Sequence, residues 1–153
     1  MRINQATVIK VVLTELGNLD QVVFIAEDYG PSKGKLTIEC YGEAWSAYWG
    51  SMGDGWDILG FINKANVDYL AGKLKPPGLN EHEIDWEKIS KEIGDEVDDS
   101  TALMMDDELT AVYGDDWNHH LPTKDNPKYT YLCRIVSAVK AGVAEMTKEA
   151  IAA

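Results

Sequence analysis

A chain of 153 residues with 45% hydrophobic and 26% charged residues has the composition of a folded protein with a sizeable core, which excludes disorder of the whole chain. The 26 acidic residues outnumber the 14 basic ones and give a net charge of −12, which excludes nonspecific binding to nucleic acid or to an anionic membrane, since both need a cationic face. No apolar run approaches the roughly 20 residues that span a bilayer, and residues 1–5 lack the features of a secretory signal, so the expectation is a single domain over residues 1–153 in the cytoplasm.

In chain order, residues 6–14 (Ala-Thr-Val-Ile-Lys-Val-Val-Leu-Thr) are dense in β-branched side chains and predict a strand, or a helix if Glu15 and Leu16 are included. Gly17-Asn18-Leu19-Asp20 predicts a turn. Residues 21–27 predict a second strand. Gly30-Pro31-Ser32-Lys33-Gly34 is a loop. In residues 36–41, Leu36, Ile38 and Cys40 alternate with Thr37, Glu39 and Tyr41, the pattern of a half-buried strand. Gly42-Glu43 predicts a tight turn, and residues 44–49 a fourth strand. Short connections imply an antiparallel meander.

After Gly50, Gly53 and Gly55 the period changes. Trp56, Ile58, Leu59, Phe61 and Ile62, then Val67, Leu70, Ala71 and Leu74, have helical spacing. They predict two short helices or one bent helix, ending before Pro76-Pro77-Gly78. Ile84, Trp86, Ile89 and Ile93 predict another helix. Residues 101–113 predict a further one, with Leu103, Met104, Leu109 and Val112 as its apolar set. Residues 128–147 carry the strongest helical stripe: Tyr131, Leu132, Ile135, Val136, Val139, Val143 and Met146. The fold class is therefore α+β, an N-terminal antiparallel sheet of about four strands packed against C-terminal helices.

The charge is concentrated. Residues 1–80 hold nine acids and seven bases, residues 81–117 fourteen acids and two bases, and residues 118–153 three acids and five bases. The segment 81–117, helical or loop, carries a charge equal to the whole excess. Any function that depends on charge should use its carboxylates: Asp95, Glu96, Asp98, Asp99, Asp106, Asp107, Glu108, Asp115 and Asp116. A solvated acidic face is the plain alternative.

No reaction motif stands out, so no residue is assigned as catalytic. The run Gly50-Ser51-Met52-Gly53-Asp54-Gly55 lacks the lysine and the ending of a phosphate loop and reads as a strand-to-helix connection. The acidic stretches lack the ligand offsets and sixth-position glycine of a calcium loop. His119 and His120 are adjacent and diverge, a poor metal pair. No metal and no cofactor is expected. Cys40 and Cys133 read as reduced, buried thiols. Among the aromatic residues Tyr41, Trp45, Tyr48 and Trp49, Trp45 and Trp49 share one strand face, which is either core or a binding surface for a partner.

The string Lys35-Leu36-Thr37-Ile38-Glu39-Cys40-Tyr41-Gly42 followed by Ala44-Trp45-Ser46-Ala47-Tyr48-Trp49-Gly50-Ser51-Met52-Gly53 resembles a group of small accessory proteins encoded by bacteriophages and prophages. Residues 7–19, Ala26-Glu27-Asp28-Tyr29-Gly30 and Asn66-Val67-Asp68-Tyr69-Leu70 resemble the same group. The acidic middle and the last helix lie outside the resemblance. It implies a phage origin and carries over no catalytic residue.

These readings lead to a noncatalytic phage protein in the host cytoplasm that binds a host protein, for instance a nucleic-acid-binding protein of a defence complex. Its acidic surface would stand in for nucleic-acid phosphates, with no direct contact to nucleic acid or membrane. The alternatives are an enzyme using carboxylates with His119 or His120, and a structural or assembly protein of the phage particle.

Overall fold

Four antiparallel strands in sequence order form the main sheet: β1 (Ile9–Leu13), β2 (Val22–Asp28), β3 (Gly34–Cys40) and β4 (Glu43–Trp49). The computed structural model describes residues 1–153, which divide into two units. The first holds Met1–Leu79 and Thr130–Ala153, the second Asn80–Tyr129.

Register follows from the alternation of apolar residues. Val22 pairs with Cys40, Phe24 with Ile38 and Ala26 with Leu36, while Ile38 also pairs with Trp45. All of these are buried, so they form the inner face of the sheet. The turn between β3 and β4 is Tyr41-Gly42 rather than Gly42-Glu43. Both residues have positive φ, 48° and 79°, as a two-residue hairpin of matching twist requires. Glu43 instead pairs with Cys40 as the first residue of β4. The first strand is shorter than residues 6–14 and begins at Ile9.

The helical stretch before Pro76 is two helices, α1 (Ile58–Lys64) and α2 (Val67–Leu74). Ala65 and Asn66 between them are extended, which ends one helix and starts the next. Each start is capped: Asp57 accepts from the Gly60 amide and Asn66 from the Tyr69 amide, both at 2.7 Å. Asp28, the last residue of β2, also accepts from the Ile58 amide at 2.8 Å, which fixes α1 to the sheet.

The long helix α5 (Pro127–Ala152) buries Leu132, Ile135, Val136, Val139 and Val143, as its stripe predicts. Its Lys140 ammonium donates to the carbonyls of Ile62, Asn63 and Ala65 and so satisfies the end of α1. Burial pulls that ammonium below the usual lysine range. Tyr131 on α5 meets buried Cys40 at 3.4 Å. No disulfide joins Cys40 to the half-buried Cys133. No helix is long and apolar enough to cross a membrane.

The second unit contains β5 (His82–Ile84), α3 (Trp86–Ile93), a 3-10 turn (Ala102–Met105), α4 (Asp106–Tyr113), a second 3-10 turn (Trp117–His119) and β6 (Thr123–Asp125). β5 and β6 pair antiparallel, with His82 opposite Asp125. The core of this unit is Ile89, Val97, Ala102, Leu109 and Trp117, with Trp86, Met105 and Tyr113 packed against it.

Here the structure overturns one apolar set. Leu103, Met104 and Val112 were expected to face inward from a helix over 101–113, but all three are exposed. The 3-10 turn at 102–105 has about three residues per turn rather than 3.6 and shifts the phase. The inward residues are therefore Ala102, Met105, Leu109 and Tyr113.

Candidate functional site

The nine acidic residues from Asp95 to Asp116 sit on three short segments of the second unit, each held by its own interactions. The first is the loop after α3. Gly94 ends α3 with a left-handed backbone (φ 85°), the conformation that glycine adopts without strain. The Ser90 hydroxyl then accepts from the Val97 amide at 3.0 Å and donates to the Val97 carbonyl at 3.2 Å, so the loop is clamped back onto α3 while the Val97 side chain is buried. Beyond it, Asp98 Oδ1 accepts from the Ser100 hydroxyl at 2.6 Å, from the Ser100 and Thr101 amides, and from the Thr101 hydroxyl. The Ser100 hydroxyl, followed by the other donors, holds the Asp98 carboxyl below the usual aspartate range.

The second segment is the first turn of α4, where Asp106, Asp107 and Glu108 meet the positive end of the helix dipole. The third is the turn carrying Asp115 and Asp116. The Trp117 indole Nε1 donates to Asp106 Oδ1 at 2.7 Å and ties this turn to the start of α4.

All nine carboxylate residues from Asp95 to Asp116 named above are exposed. None is in an ion pair: the bridges in this unit are Lys88–Glu92, Lys91–Glu87, Lys124–Glu83 and His82–Asp125. Asp98, Asp106 and Asp95 use a carboxylate oxygen within the chain. The remaining six, Glu96, Asp99, Asp107, Glu108, Asp115 and Asp116, project carboxylates with no donor from the chain. These are uncompensated negative charges on ordered segments, two of which the Trp117–Asp106 bond joins.

A groove of about 730 Å³ lies between α3 and the loop, lined by Trp86, Glu87, Lys91 and residues 94–98. Between α4 and α3, the Tyr113 hydroxyl donates to the Glu92 carboxylate. Burial, and then that carboxylate, pushes the Tyr113 hydroxyl up to about 12.

Trp45 and Trp49, expected among the partner-binding residues, are only 9% and 5% exposed. They pack inward because Trp45 stands opposite buried Ile38, and Trp49 stacks against Phe61 at 5.3 Å and donates from Nε1 to the Tyr69 hydroxyl. The aromatic rings on the open side of β4 and its turn are Tyr48 and Tyr41. His119 and His120 are both exposed, and His120 Nδ1 lies 2.9 Å from the Asp116 carbonyl. No group of three or more His, Cys, Asp or Glu side chains is placed to hold a metal ion.

Three features do not follow directly from the residue pattern: the Ser90–Val97 clamp, the β5–β6 pair and the exposure of Leu103 and Met104. The last had a signal: Ala102, Met105, Leu109 and Tyr113 also have helical spacing and compete with the set containing Leu103.

A family model described as a phage family matches residues 1–145, which takes in the four-stranded sheet, the acidic unit and most of α5. No curated protein and no solved structure matches the chain.

Proposed function

Because the chain belongs to this phage family, we propose that it is a noncatalytic accessory protein that binds a basic host protein through the acidic surface of residues 95–116. The host protein is one whose cationic groove ordinarily takes nucleic acid, and the carboxylates occupy it in place of phosphates. Inhibition of a host defence complex is one case of such binding.

The observation that supports this reading is the set of six exposed carboxylates, Glu96, Asp99, Asp107, Glu108, Asp115 and Asp116, that have no cation or donor within the chain. Charges left unpaired at a surface keep the protein in solution, but they also raise its association rate with an oppositely charged partner. The segments that carry them are fixed by the Ser90–Val97 clamp, the Asp98 turn and the Trp117–Asp106 bond. A partner would therefore meet the frame without first ordering it.

The test is affinity capture from host lysate followed by a salt titration of the complex. A stoichiometric basic partner released as ionic strength rises is the expected result. A complex indifferent to salt, or none at all, counts against the reading.

A further inference from the structure

Leu103 and Met104 are 82% and 87% exposed, although they lie in the segment that supplies much of the second unit's core. The fold does not need them outside: Ala102, Met105, Leu109 and Tyr113 of the same segment fill the inward positions. Leu103 and Met104 lie in the 3-10 turn that leads into α4, and exposed Asp106, Asp107 and Glu108 follow in the first turn of that helix. Within α4, Asp107 shares a face with Ala111 and Glu108 with Val112, and all four are exposed. Two exposed apolar side chains thus stand directly before a run of exposed acids.

We infer that Leu103 and Met104 are the apolar anchor of the contact with the basic partner, entering a recess whose rim is lysine and arginine. This rests on the reading of the acidic surface given above. The charge selects the occupant. Asp107 and Glu108 have no cation on this chain, so the complementary rim is cationic. Nucleic acid and an anionic membrane are repelled. A second copy docked symmetrically would set these acids against themselves. An apolar pair in a polar rim is also how a small helical surface gains affinity that salt does not screen.

Two probes separate the anchor from the charge: a Leu/Lys amphipathic helical peptide and an oligolysine of equal charge. Each is titrated calorimetrically into the full chain and into the Leu103→Ser, Met104→Ser double variant. The full chain should bind the Leu/Lys peptide about tenfold tighter than the oligolysine, as expected for burying part of two apolar side chains. The double variant should lose that advantage and keep its oligolysine affinity. Both substitutions are on exposed side chains, and circular dichroism of the variant should match that of the parent. Equal binding of the two peptides by the full chain would overturn the anchor and leave the acidic surface standing. An advantage that survives in the variant would also overturn it, by placing the apolar contact elsewhere. Binding of neither peptide would overturn the acidic surface as a site for basic partners, and the anchor with it. Sedimentation velocity closes the remaining case: a dimer of the full chain that the double variant dissolves would assign the face to a second copy and overturn the inference.

Discussion

Trp117 Nε1 donates to Asp106 Oδ1 at 2.7 Å, and this bond joins two acidic segments that lie eleven residues apart. Trp117 is at the same time part of the apolar core of the second unit. Its ring anchors the turn from below while its N–H fixes the first residue of α4. Asp106→Ala removes the acceptor of a half-buried donor and should cost about 1 kcal/mol of stability. Urea unfolding of the variant measures it. A midpoint equal to that of the parent would show that the bond does not hold the turn.

Asp98 gives a pH dependence of definite sign. Its carboxyl is held below the usual aspartate range by the Ser100 hydroxyl and by its other three donors. A lowered folded value means that the stabilisation is present above the unfolded value and is lost as the pH falls through the folded one. The Asp98→Ala variant should therefore lack this acid-dependent loss. Amide exchange at Ser100 and Thr101 should also speed up in it, since both amides donate to Asp98. Unchanged exchange at both amides would contradict the structural role given to Asp98.

The Tyr113–Glu92 contact acts at the other end of the scale. The Tyr113 hydroxyl is raised to about 12, first by burial and then by the Glu92 carboxylate that accepts its hydrogen bond. A raised folded value means that stabilisation is complete below the unfolded value and fades as the pH climbs to about 12. Tyr131 is also raised to about 12, first by its bond to Cys40 and then by burial. Titration of tyrosinate absorbance should thus show a late phase containing both residues. Tyr113→Phe should remove part of that phase, and Glu92→Gln should move part of it to lower pH. A late phase unaffected by either change would place Tyr113 elsewhere.

Gly34 is a packing requirement at the start of β3. A Cβ there would lie 3.0 Å from Ile58 Cβ, 2.9 Å from Ile58 Cδ1 and 3.1 Å from the Glu27 carbonyl. The Ile58 amide is itself bound to Asp28, so α1 has little room to retreat. Gly34→Ala should destabilise the chain by about 1–3 kcal/mol through overpacking. Thermal unfolding tests this, and an unshifted midpoint would mean that α1 yields freely.

Strands β2 to β4 and α5 were legible from the sequence, whereas residues 6–14 also fitted a helix. Ile38 alternates with polar Thr37 and Glu39, Phe24 lies in a short run of apolar, β-favouring residues, and Ile135 and Val139 recur at helical intervals. The Tyr41-Gly42 turn was misplaced by one residue because a tyrosine at positive φ is rare. The stretch 101–113 was misread because two apolar sets share it, and the 3-10 turn decides between them. For the acidic surface, the sequence supplied the residues but not the division of labour among them. That Asp98 and Asp106 accept bonds from their own chain, while Asp107 and Asp116 do not, depends on Ser100, Thr101 and Trp117 being brought to them by the fold. The pairing of His82 with Asp125 joins segments too distant and too short for periodicity to detect.

The most direct measurement uses the chain as bait beside a variant in which Glu96, Asp99, Asp107, Glu108, Asp115 and Asp116 are replaced by Gln or Asn. None of the six side chains makes a bond within the chain, so both baits should give the same circular dichroism. Captures from host lysate are compared at low salt and at about 1 M, where charges are screened beyond about 3 Å. The expected result is a basic protein held stoichiometrically by the parent at low salt, released at high salt and absent from the variant. A partner that the folded variant retains as well as the parent does would contradict the acidic surface as the site of binding.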